Sequence, residues 1–135
     1  MTMTTTSEHE AKVAALQATV FGALSPAQLR DVARASALRH IDAGATVCEQ
    51  DEFAQDVFVL AAGSVTVVVD GRVVAQRGAG DIVGDWALFG GGYRSATVRA
   101  ITDTTAVVVD ARELDSLLMA VPSAAALVGR HDSAR

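Results

Sequence analysis

Two hydrophobic rhythms divide this chain. Over residues 11 to 38 apolar side chains return every three or four positions; over 46 to 109 they come as short β-branched runs broken by glycine and acidic turns. In the first region Val13, Leu16 and Val20 share one face, which predicts a helix through residues 11 to 17 opened by Ser7-Glu8-His9-Glu10. Ser25 begins a second helix. It is a serine able to cap, Pro26 fits the first helical position, and Gln28 stands three residues on. Leu29, Val32 and Ala33 then line an inner face, and the helix is expected to run to about Leu38.

From there the period shortens. Residues 46–48, 57–60, 65–69, 73–75, 98–101 and 105–109 read as strands, and Asp70-Gly71 is a two-residue hairpin turn between two of them. Regular short strands with glycine turns indicate a sandwich or barrel. Helical spacing returns over 111–120, Pro122 breaks it, and Ser123 opens a last short helix that ends at Gly129. Residues 1–7 are polar and expected to be disordered; residues 8–135 make one domain.

Composition narrows the function. The 135 residues are 50% hydrophobic, mostly alanine and valine, with 4% aromatic and a net charge of −5. Arg72, Arg77, Arg94 and Arg99 are scattered among acids, so there is no basic patch for nucleic acid. The first residues lack both a basic segment and an apolar run. The longest apolar region, 57–69, is interrupted by Gly63, Ser64 and Thr66, so no membrane span is expected and the chain reads as soluble and cytoplasmic. Cys48, the one cysteine, reads as a small core residue. His9, His40 and His131 are far apart without metal-ligand spacing, and Ser64, Ser95 and Cys48 have no base nearby. The expectation is no metal, no required cofactor and no enzyme, with His40 a strand-edge surface residue.

The candidate chemistry lies in residues 80–100. Gly84 allows close approach of backbone to a ligand. The residues after it can form a short helical turn whose free N–H groups suit an anion. Arg94 adds a donor fork shaped for a phosphate or carboxylate, and Asp85 would accept hydrogen bonds from hydroxyls. A plainer reading has Arg94 as a surface arginine paired with Asp85 or Asp81. Thr97 reads as satisfying local backbone as readily as touching a ligand.

This segment resembles the phosphate-binding cassette of the cyclic nucleotide-binding domain family, the receptor module of catabolite-activator type. Gly84, Ala87, Leu88, Arg94, Ser95, Ala96 and Thr97 fall on its pattern. Phe21, Leu24 and Leu29 are similar to its opening helical segment, Gly44 to the turn before the barrel, residues 56–65 to its strand-turn-strand signature, and Leu114, Leu117, Leu118 and Pro122 to the helix that follows. The family usually has glutamate where Asp85 stands, and glycine where Asp51 stands; aspartate tolerates a left-handed turn better than most residues. The resemblance implies a mainly β fold with flanking helices: a β-roll (double-stranded β-helix, jelly-roll-like) with N-terminal helices and a short C-terminal helical segment, without a DNA-binding domain. It implies a ligand site at Val83, Gly84, Asp85, Trp86, Ala87, Arg94, Ser95, Ala96 and Thr97. The ligand would be a cyclic nucleotide, with cyclic AMP the default over cyclic GMP, and the output would pass to a protein partner or a homodimer. The alternative is a nucleotide-free version of the fold serving as a protein-interaction or assembly module.

Overall fold

The computed structural model describes residues 2–84, 92–110, 112–113 and 119. Helix α1 spans Thr2–Gln17, a 3₁₀ turn Val20–Ala23, and helix α2 Pro26–Ala35. Among the described residues eight strands follow: β1 (Ala37–Ile41), β2 (Thr46–Cys48), β3 (Asp56–Ala62), β4 (Ser64–Val69), β5 (Arg72–Gly78), β6 (Ile82–Val83), β7 (Thr97–Ala100) and β8 (Thr104–Asp110). They form two antiparallel sheets, ordered β1-β8-β3-β6 and β2-β7-β4-β5. The fold is mainly β, as the sequence implies.

Two layers of core share the central strand β3. Its Val57 and Val59 face the helices and pack with Leu16, Phe21, Leu29, Val32, Val107 and Val109. Its Phe58 and Leu60 face the second sheet and pack with Val47, Cys48, Val65, Val83 and Val98. Alternation along a strand sends neighbouring residues to opposite faces. A strand covered on both faces therefore reads as an unbroken apolar run, which is what residues 57–60 are.

Local chemistry sets the boundaries. At α2 the Gln28 amide donates to Ser25 Oγ (3.2 Å) and the Ser25 amide to Gln28 Oε1 (2.9 Å), the reciprocal box that the sequence predicts. Ser25→Ala is expected to cost about 1 kcal/mol and to lower the thermal unfolding midpoint by about 3–5 °C, measured by circular dichroism. The Asp70-Gly71 turn has φ of 51° and 80°, the left-handed pair a tight hairpin requires, and joins β4 to β5.

Three boundaries differ from the sequence reading. The backbone is helical from Thr2, although residues 1–7 are expected to be disordered; no glycine or proline lies N-terminal to the packed Leu16 turn to stop the helix. Helix α2 ends at Ala35, not Leu38, because residues 37–41 pair with β8 as strand β1. That pairing overrides a segment lacking a β-branched run. The two-residue β6 is held by pairing with Phe58 and Val59, too short to leave a pattern. Arg112 and Glu113 are helical and the Arg112 amide donates to Asp110 Oδ1 (2.8 Å). Leu114, Leu117, Leu118, Pro122 and the last predicted helix lie outside the described residues.

Candidate functional site: a buried arginine between β3 and β6

Arg94 is 7% exposed, a rare state for arginine unless it is paired. Its Nη2 bonds to Asp56 Oδ1 at 2.7 Å. Its Nη1 donates to the Asp56 carbonyl (2.9 Å) and the Gly84 carbonyl (3.3 Å), and the guanidinium lies 5.2 Å from the centre of the Phe58 ring. One side chain thus joins the start of β3, the end of β6 and the loop before β7. Its backbone is held equally firmly: the Arg94 amide donates to the Glu52 carbonyl and the Asp51 amide to the Arg94 carbonyl, both at 2.8 Å.

Gly84 has φ of +84°, and a Cβ there would run into Arg94 Nη1. The glycine serves both the left-handed backbone and the close approach of the guanidinium. Val83 is buried in the inter-sheet core and Ala96 is buried beside Arg94 in sequence, while Ser95 is half-buried. Thr97 Oγ1 accepts the Gln50 amide at 3.0 Å, so it satisfies local backbone as one reading of the sequence has it. The structure therefore brings Gly84 to the guanidinium of Arg94, with Val83 next in sequence but buried in the inter-sheet core. Asp85, Trp86 and Ala87 lie outside the described residues, as do Leu88 and Phe89.

The plainer reading of Arg94 needs correction in part. The residue is buried, its carboxylate partner among the described residues is Asp56, and Asp81 instead accepts the Gly78 amide at 2.8 Å; Asp85 lies outside the described residues. Sequence reasoning missed Asp56 because 38 residues separate the pair. The available signal was an acid placed directly before a fully apolar strand, where a charge stays only if something answers it. Asp51 takes φ of +70°, the left-handed turn expected of it. Cys48 is 7% exposed in the inter-sheet core; burial pushes its thiol pKa up and the nearby Arg94 charge pulls it partly back, so the thiol stays neutral. His40 is exposed on the edge strand β1, its Nδ1 3.1 Å from Thr105 Oγ1. Among the described residues no cluster of three or more His, Cys, Asp or Glu could hold a metal ion, and no helix is long and apolar enough to cross a membrane.

Two antiparallel sheets with a glycine and a buried arginine in contact can be compared with known proteins. The model of the family described as cyclic nucleotide-binding domain matches residues 38–121. The chain belongs to that family. A cyclic nucleotide-gated potassium channel of Rhizobium etli is 34% identical over 106 residues, covering 78% of this chain and 30% of the channel. The chain thus spans less than a third of that relative. Two solved structures share the fold at lower identity. The regulatory domain of Toxoplasma gondii PKA, crystallised with cAMP, superposes with a TM-score of 0.84 at 20% identity, over 96% of this chain and 51% of that one. The regulatory subunit of a cAMP-independent protein kinase A from Trypanosoma brucei gives 0.83 at 19%, over 94% and 46%. This cyclic nucleotide-binding domain is thus as close in shape to a protein seen with cAMP as to one described as independent of it.

Proposed function

We propose that this domain is a regulatory module that captures a cyclic nucleotide through its phosphate and passes the event to a partner protein. The observation carrying this reading is the buried guanidinium of Arg94, oriented by Asp56 and Gly84 beside the segment that matches the cassette. An arginine fixed in this way is organised before ligand arrives, so little rotamer entropy is lost on binding. The anion would share the guanidinium with Asp56, whose carboxylate is 36% exposed and can turn to water. Asp85 would take a ribose hydroxyl, and cyclic AMP is the first ligand to test. Capture would tighten residues 85–91 and move Leu88 and Phe89 toward Leu114, Leu117 and Leu118; a ligand shifts such an equilibrium only by its differential affinity for the closed form.

A second reading has its own support. Asp56 already neutralises Arg94 internally, and the fold is shared with the cAMP-independent kinase regulator. On that reading the roll is an assembly module without nucleotide. Thermal unfolding with cyclic AMP, cyclic GMP and 5′-AMP separates the two. At a hundredfold excess over its dissociation constant a bound nucleotide adds about 2.7 kcal/mol, a rise of roughly 5–15 °C here. No shift with any of them at millimolar concentration favours the assembly module.

A further inference from the structure

We propose that Gln50 is a positioning residue for Arg94, acting through the loop 49–54, which it ties to the tip of the β4–β5 hairpin. The inference rests on the cyclic nucleotide reading above. Gln50 makes three hydrogen bonds to two other elements. Its Oε1 accepts the Asp70 amide and its Nε2 donates to Asp70 Oδ1, both at 2.8 Å, while its own amide donates to Thr97 Oγ1 at 3.0 Å. The next residues grip the backbone before β7. The Asp51 amide bonds to the Arg94 carbonyl and the Arg94 amide to the Glu52 carbonyl, and the Ala54 amide to the Gly92 carbonyl at 2.7 Å. Loop 49–54 is thus a strap with Arg94 on one side and Gln50 anchoring it on the other.

The strap turns on one residue. Asp51 sits at φ +70°, a left-handed conformation that aspartate tolerates better than most L-residues but does not by itself fix. Rotation of this turn toward negative φ would carry the Asp51 amide off the Arg94 carbonyl. Gln50 opposes that rotation because its side-chain amide is bonded to both the backbone and the carboxylate of Asp70. Asp70 in turn stands in the two-residue turn whose geometry β4 and β5 enforce. The backbone of Arg94 is therefore referenced to a hydrogen-bonded hairpin. A binding group works at full strength only when a supporting shell holds it.

The test titrates cyclic AMP into the wild type and its variants. Gln50→Ala is expected to bind about three- to tenfold more weakly, the scale of the hydrogen bonds lost. Gln50→Glu is expected to fail likewise, since it sets a carboxylate against that of Asp70. Gln50→Glu combined with Asp70→Asn is expected to restore affinity, because the new side-chain amide then donates to the new carboxylate. A purely structural Gln50 would lower the unfolding midpoint and leave the dissociation constant unchanged; wild-type-like affinity in Gln50→Ala overturns the proposal while the sensor reading stands. Amide hydrogen exchange on the ligand-free protein decides the matter independently. Gln50→Ala is expected to speed exchange at Ala54 and Arg94 while β3 and β8 stay protected. If the wild type binds no cyclic nucleotide the sensor reading fails, and unchanged exchange at Arg94 would then overturn the positioning role too.

Discussion

Arg94→Ala is expected to weaken cyclic nucleotide binding by at least about a hundredfold, because the proposed charge-assisted contact between its guanidinium and the phosphate is lost. The stability cost is smaller and has separable parts. The carbonyls of Asp56 and Gly84 lose their donor, and Phe58 loses the cation above its ring. The Asp56 carboxylate is left unpaired, but at 36% exposure water answers much of that charge, so the full penalty of breaking a buried ion pair does not apply. Together these suggest about 2 kcal/mol and a midpoint lowered by roughly 5–10 °C. Asp56→Asn in the same chain is expected to recover part of the stability and none of the binding. Arg94→Lys keeps the charge but cannot reach the Asp56 carbonyl, the Asp56 carboxylate and a phosphate together, so an intermediate loss is expected. Isothermal titration and thermal denaturation on these four proteins suffice. Nucleotide binding that survives Arg94→Ala would move the anion site elsewhere.

The roll was legible in the sequence where one residue's neighbours decide its state. Ser25, Pro26 and Gln28 lie within a single turn, and Asp70-Gly71 needs only its own φ values to make a hairpin. The apolar run 57–60 reads as a strand from the sequence, and the structure adds that both its faces are buried. Strands β1 and β6 were not legible, because each exists through its partner: Leu38 and His40 extend opposite Val107 and Thr105, and Ile82-Val83 against β3. The site divided the same way. Gly84 and Arg94 lie ten residues apart in a recognisable cassette and meet in space. Asp56 and Gln50 reach that cassette only across the fold, through contacts spanning 38 and 47 residues. Local pattern thus exposed the candidate site groups, while the groups bonded around them came from long-range pairing.

Gly84→Ala is the sharper test of the geometry, because it adds one methyl group and removes nothing. Two effects follow from it. The backbone at φ +84° becomes strained, at about 1–2 kcal/mol, and the new Cβ drives Arg94 Nη1 from its place between the carbonyls of Asp56 and Gly84. Nη1 is the far end of a flexible side chain, so the guanidinium moves and the roll survives. The expected result is a folded protein, less stable by about 2–4 kcal/mol, with nucleotide affinity reduced tenfold or more. Gly44→Ala is the control. Its φ is +86°, but a Cβ there meets no atom within 4 Å, so it carries the strain alone and is expected to leave affinity unchanged. Combining Gly84→Ala with Arg94→Ala isolates the displacement: with Nη1 gone the methyl has nothing to push, and the destabilisation should fall short of the sum of the single variants. Strict additivity would mean that the glycine serves only its own backbone, and the close packing of Gly84 against Arg94 would then have no part in shaping the site.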